Sequence, residues 1–134
     1  MKIIIVGCGR TGSTIAAKMG LQGHDVTVID RNPLAFDRIG PAFCGNLVTG
    51  IGIDEDVLID AGIREANAVI AVTKGDNTNI MIGQIAKFLY QVPKVMVRIV
   101  DPKVKQFYEE VIGLPCYCPT EINAEYYMRF LRGE

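Results

Sequence analysis

The chain has 134 residues, 49% of them hydrophobic, and a formal net charge of −1. The hydrophobic share excludes a disordered chain. The near-zero charge excludes a global basic field for nucleic acid or anionic lipid, and no apolar run approaches the ~18 residues of a membrane span. A chain of this length makes one domain with a proper core, burying about two thirds of its unfolded surface.

The first element is the apolar run Ile3-Ile4-Ile5-Val6, whose β-branching predicts a strand buried on both faces. It feeds directly into Gly7-Cys8-Gly9-Arg10-Thr11-Gly12, and a small-residue amphipathic stretch then predicts a helix ending near Leu21. Strand, Gly-x-Gly-x-x-Gly turn and helix form the context of a dinucleotide-binding fingerprint. Gly7 allows the sharp turn, Gly9 leaves room for a phosphate at the backbone, and Gly12 lets helix and sheet approach closely. The free N–H groups and positive dipole end of the helix then face a pyrophosphate. Because this turn lies within residues 1–20, the segment does not read as a cleaved signal peptide.

A second strand, His24 to Ile29, ends on Asp30. An acid at that spacing accepts hydrogen bonds from both ribose hydroxyls and repels a 2′-phosphate, favouring NAD or another adenosine nucleotide over NADP. Asn32-Pro33 opens a short helix to about Ile39, by an Asn cap and a Pro at the first helical position. Phe43 to Thr49 reads as a third, less regular strand. Gly50-Ile51-Gly52-Ile53 is a loop, and Asp54 caps a helix over about Glu55 to Ala61, ended by Gly62. Ala68 to Val72 is a fourth strand, Thr73 to Asn77 the loop after it, and a long helix runs from about Asn77 to Tyr90. Val95 to Val100 is a fifth strand, Pro102 opens a helix to about Ile112, Leu114 to Cys118 is a sixth short strand, and a final helix spans about Ile122 to Leu131. Regular alternation of strands and helices predicts an α/β fold, a doubly wound parallel Rossmann sheet in the order 3-2-1-4-5-6 with a C-terminal helix, residues 1–134 forming a single domain.

In that order the crevice opens between strands 1 and 4, so one pocket should gather Gly7 to Gly12, Asp30 to Asn32, Gly50 to Ile53, Thr73 to Asn77, and Arg98 with Asp101. Arg10, at the mouth of the first helix, is placed to clamp a phosphate. Arg98 interrupts an apolar strand and needs an anionic ligand, a carboxylate such as Asp101, or an end position reached by water. The four cysteines, Cys8, Cys44, Cys116 and Cys118, read as small apolar fillers, and no metal set is legible. Catalysis is not expected. Tyr90 and Lys94 mimic a dehydrogenase pair, but Pro93 stops the helix between them, and the only histidine, His24, sits at the far end of the sheet.

Read together, Gly7-Cys8-Gly9-Arg10-Thr11-Gly12, Asp30-Arg31-Asn32, Ala61-Gly62-Ile63, Ala68 to Thr73, Asp76-Asn77-x-Asn79 and Arg98-x-x-Asp101-Pro102 resemble the TrkA N-terminal domain, also called the RCK or KTN domain, over nearly the whole chain. The resemblance implies a regulator of potassium channels and uptake systems that binds NAD, NADH, ATP, ADP or AMP. It implies no enzyme activity, a homodimer extendable to rings, and a potassium-translocating membrane partner. It implies neither nucleic-acid binding nor membrane insertion, and a cytoplasmic location at the inner face of the membrane. By match to the family pattern, Gly7 to Thr11 hold phosphate with Arg10, Asp30 and Arg31 meet the adenosine, Thr73 and Asn77 form the strand-4 wall, and Arg98 is the strand-5 arginine. Glu121, in Pro-Thr-Glu, matches a carboxylate near the phosphates of the assembly.

Two departures qualify the match. Many members carry Gly-Asp-x-Thr after strand 3, where this chain has Gly50-Ile51-Gly52-Ile53, leaving adenine to pack on Ile51 and bond to backbone. Most regulators also continue into a C-terminal ligand domain, so this chain is either a single-domain member or an excised domain. The competing readings are an NAD-dependent oxidoreductase, or its cofactor domain, and a scaffold that binds nucleotide only for stability. The final helix carries Ile122, Tyr126 and Phe130 in a stripe beside Tyr127 and Leu131. Two outcomes are open for it: contact with a second copy, shared with the helices after strands 4 and 5, or folding back onto its own sheet.

Overall fold

Residues with branched apolar side chains on both faces of a strand bury that strand completely, and the first strand does so. The computed structural model describes residues 1–134. In it β1 (Lys2–Val6) has Ile3 to Val6 no more than 3% exposed. β1 occupies the centre of a six-stranded parallel sheet with β2 (Asp25–Asp30), β3 (Asn46–Thr49), β4 (Ala68–Ala71), β5 (Lys94–Arg98) and β6 (Cys116–Tyr117). Their order is β3-β2-β1-β4-β5-β6, as the alternation predicts. Alternate side chains of β1 point to opposite faces. Ile3 and Ile5 join Ala16, Val26 and Val28 in one core, while Ile4 and Val6 join Val69, Ile80, Ile82 and Val97 in a larger one.

The helices are α1 (Arg10–Leu21), α2 (Glu55–Asp60), α3 (Asp76–Gln84), α4 (Pro102–Phe107) and α5 (Pro119–Leu131), with short 3₁₀ turns at Pro33–Ile39 and Ile63–Glu65. α1 with the Pro33–Ile39 turn covers the smaller core, and α3 covers the larger. No helix is long and apolar enough to cross a membrane.

Several boundaries depart from the sequence reading. The helix expected from Asn77 to Tyr90 is α3 followed by a wide π turn, Ile85–Leu89, closed by Tyr90 N–H on the Ile85 carbonyl at 3.1 Å. α4 ends the same way at Tyr108–Ile112, and Gly113 leaves it in a left-handed conformation (φ 80°). Each π turn is the last turn of its helix, so no helical turn follows in which a slip of the apolar stripe would show in the sequence. The third strand starts at Asn46, not Phe43, because the Phe43 ring lies over Gly20 of α1 instead of extending the edge. The fifth ends at Arg98, and the Val100 and Asp101 N–H groups turn to the Asp76 carboxylate.

α5 begins at Pro119, three residues earlier than expected; proline there has no N–H to leave unpaired. It does not fold back onto the sheet. None of its residues is buried, and Tyr126, Phe130 and Leu131 are 74%, 76% and 79% exposed.

Candidate nucleotide cleft

Strand order reverses between β1 and β4, and there a cleft of about 940 Å³ opens at the carboxyl ends of the strands. The glycines build its floor. Gly7 has φ +106°, and a Cβ on it would lie 2.7 Å from the Val72 carbonyl oxygen. A Cβ on Gly12 would run into the Gly7 carbonyl, so the start of α1 rests directly on the turn. A Cβ on Gly9 would meet nothing within 4 Å, so the backbone there is open to a ligand. No side chain caps α1 and no acid sits in its first turn, which leaves the positive end of the helix uncompensated.

Asp30 ties this floor to β2. One carboxylate oxygen accepts the Cys8 N–H at 2.8 Å and the other the Asn32 N–H at 2.8 Å. Each oxygen keeps lone-pair capacity for a further donor, such as a ribose hydroxyl. The Cys8 thiol is buried and donates to the Ala35 carbonyl at 3.2 Å, drawing the Pro33–Ile39 turn onto the loop. Burial, then the Asp30 charge, push its proton affinity up against a smaller opposing pull from Arg38, so the thiol stays protonated and serves as packing. Arg38 completes the bracket by donating to the Cys8 carbonyl at 3.2 Å.

The opposite wall is the turn after β4. Asn79 on α3 is wholly buried and binds Thr73 and the Arg98 carbonyl. Arg98 Nη2 donates to the Thr73 carbonyl at 2.6 Å, while its Nε is buried with no partner. Of the three explanations for an arginine in an apolar strand, the end position applies, since Arg98 closes β5, and its place in the cleft lining leaves the anionic ligand open. Asp101 does not pair with it, but instead caps α4 by accepting the Lys103 N–H at 2.9 Å.

Gly7, Cys8, Gly9, Arg10, Thr11, Asp30, Arg31, Gly50, Ile51, Thr73 and Arg98 all line this one cleft. Gly12, Asn77 and Glu121 do not. Gly12 supports the turn from beneath, and the α3 residue that reaches the wall is Thr78, not Asn77. Glu121 is paired with Lys105 at 3.4 Å. Lys105 also holds Glu109 at 3.1 Å, and these contacts, Glu109 first, raise its proton affinity. Sequence reasoning missed Arg38 and the anchoring role of Asn79. The Asn32-Pro33 start signal was available for the first, but the return of that turn onto the loop was not.

The lining carries five cations, Arg10, Arg31, Arg38, Lys74 and Arg98, against a single acid, Asp30. In a chain of net charge −1 that concentration selects an anionic ligand. An uncapped helix start, an open Gly9, an orphaned guanidinium Nε and a hydroxyl-accepting acid fit phosphate at one end and ribose at the other. Ile51 and Ile53, both substantially exposed, offer an apolar wall beside Asp30. Tyr90 and Lys94 lie outside this lining. The Tyr90 phenol donates instead to Glu55, whose hydrogen bond raises its proton affinity.

The TrkA-N domain family matches residues 3–114. The Trk system potassium uptake protein TrkA of Streptomyces coelicolor is 44% identical over 131 residues, covering 98% of this chain and 58% of that protein. The chain therefore spans about three fifths of the length of such curated relatives. Among solved structures, the TrkA-N domain of the inner membrane protein ybaL from Escherichia coli superposes with a TM-score of 0.84 at 18% identity, over 97% of this chain and 96% of that one. The GsuK structure bound to ADP gives 0.74 at 25% identity, over 96% of this chain and 33% of that one.

Proposed function

The chain belongs to the TrkA-N domain family, and from that premise we propose that it is the nucleotide-sensing module of a potassium uptake regulator. The observation that carries the reading is the cleft's charge pattern, five cations around one acid at an uncapped helix start. The ligand is an adenosine nucleotide, NAD or NADH, with ATP, ADP or AMP as the alternatives. Gly7 to Thr11 and Arg10 receive its phosphates, Arg98 offers its guanidinium, Asp30 takes ribose hydroxyls, and Ile51 packs on the base. The ADP carried by GsuK supports this choice.

The module performs no chemistry of its own. The only acid in the lining is engaged by two backbone N–H groups, and no histidine, glutamate or tyrosine stands beside it in the cleft. Signalling then comes from differential binding, since a nucleotide shifts a conformational equilibrium by its difference in affinity between the two states. The module acts as a homodimer, through the exposed faces of α3, α4 and α5, on a potassium-translocating membrane partner at the inner face of the membrane. The Streptomyces relative's role in potassium uptake supports that partner.

Calorimetric titration of the purified chain with NAD, NADH, ATP, ADP and AMP tests the reading. Binding of at least one is expected, with no oxidation of NADH by carbonyl substrates. Turnover of NADH would favour an oxidoreductase, and absence of any binding would defeat the proposal.

A further inference from the structure

Beyond the rung pairing Ala71 with Val97, the ladder between β4 and β5 stops. The next groups on each side, around Thr73 and Arg98, need other partners, because unpaired buried backbone polar groups are costly. One side chain supplies them. Asn79 Oδ1 accepts the Thr73 N–H at 2.9 Å and the Thr73 hydroxyl at 2.7 Å. Its Nδ2 donates to the Thr73 carbonyl at 3.1 Å and to the Arg98 carbonyl at 2.9 Å. A carboxamide has four hydrogen-bonding positions, and all are used on two residues that line the cleft. The Thr73 carbonyl also accepts Arg98 Nη2 at 2.6 Å. Asn79 thus holds the acceptor on which the guanidinium rests.

We infer that Asn79 is a positioning residue for phosphate recognition: from beneath the wall it bridges the parted ends of β4 and β5 and fixes the Arg98 guanidinium toward the cleft. The inference rests on the nucleotide reading given above. Asn79 does not touch the ligand. It acts through Thr73 and Arg98, and a fully satisfied buried polar network of this kind specifies one geometry. Without it the Thr73 carbonyl swings free, and the guanidinium loses its seat.

The test is a double-mutant cycle read by calorimetry with ADP and NAD as probes. Asn79→Ala should weaken nucleotide binding about tenfold, and adding it to Arg98→Ala should cost little more than Arg98→Ala alone. A merely structural residue would give additive losses, and additivity, or an Asn79→Ala affinity equal to wild type, overturns the inference. If Asn79→Ala does not fold, Asn79→Asp replaces it. Its carboxylate cannot donate to the two carbonyls, whereas its protonated form can donate to one. Relative to wild type at each pH, its affinity should then recover on acidification, and a pH-independent ratio would overturn the inference. A wild-type chain that binds neither probe defeats the nucleotide reading itself, and this inference with it. A wild-type chain that binds while its variants match it defeats the inference alone.

Discussion

The cleft and α5 are the two exposed regions with pronounced chemical character, and their characters are opposite. In the cleft the groups that shape its walls are already held: Asp30 by Cys8 and Asn32, Arg38 by the Cys8 carbonyl, Arg98 by the Thr73 carbonyl, and Thr73 by Asn79. α5 is held only at its base, through Glu121 on Lys105 and the Thr120 hydroxyl on the Val100 carbonyl at 2.8 Å. Beyond that point it presents Tyr126, Tyr127, Phe130 and Leu131 to solvent. A preorganised polar site loses little freedom when a small ligand arrives. An unpartnered apolar helix does the reverse: it stays unfavourably hydrated until a surface covers it. On the proposed reading, the contrast gives small-molecule recognition to the cleft and association to α5.

The largest expected effect comes from α5. Burying one large apolar side chain contributes about 1.5–3 kcal/mol. Replacing Tyr126 and Phe130 together by Asp should therefore weaken self-association by on the order of 10²-fold or more. Sedimentation at concentrations on the order of 50 µM, where even a micromolar dimer is mostly assembled, should give a dimer for the wild type and a monomer for the variant. Nucleotide affinity per chain should not change. A wild-type monomer would remove the homodimer, and a dimeric variant would move the contact to another face. A variant that loses nucleotide binding as well would break the division of labour.

The reciprocal experiment lies in the cleft. Asp30→Ala removes an acceptor of two backbone N–H groups and of the proposed ribose hydroxyls. It should weaken nucleotide binding by on the order of 1–3 kcal/mol and leave the oligomeric state unchanged. Because Asp30 also anchors the loop, Asp30→Asn separates the roles: the amide keeps one acceptor and removes the charge. In the wild type, NAD should bind more tightly than NADP, because the 2′-phosphate meets the Asp30 charge. The opposite order would show that Arg31 and Arg38 dominate that end of the cleft.

The same contrast explains what the sequence could convey. Strand order, the glycine turn and Asp30 are local patterns tied to a known topology, and the residues after each strand converge because the topology makes them neighbours. Arg38 and Asn79 were not legible as cleft determinants, because no local pattern marks their partners: the Cys8 carbonyl for one, Thr73 six residues back and the Arg98 carbonyl for the other. A mid-helix Asn looks the same whether it faces solvent or holds two strand ends. Glu121 could be matched to a family pattern, but within one chain its partner is Lys105. The apolar stripe of α5 was plain, whereas the choice between folding back and standing free depends on packing that periodicity does not encode.

The smallest effect concerns the thiol beside the base of α5. Cys116 on β6 is 8% exposed and donates to the Leu114 carbonyl at 2.9 Å. Burial first, and the nearby Glu109 charge second, push its pKa from 9.0 up to about 11, with Lys105 pulling the other way. Between about pH 9 and pH 11 the unfolded chain therefore releases this proton while the folded chain keeps it. The unfolded state binds fewer protons in that window, so stability falls as pH rises. The contribution is intact below pH 9 and is lost as pH climbs through the folded value of about 11. Cys8 shifts in the same direction and adds to the slope. Urea unfolding at about pH 8 and about pH 10 should show a smaller loss of stability for Cys116→Ala than for the wild type. Every group except Cys116 is common to both chains and cancels in the comparison. Equal losses would show that the thiol ionises in the folded chain as readily as in the unfolded one, and that β6 at the foot of α5 is wetter than its packing indicates.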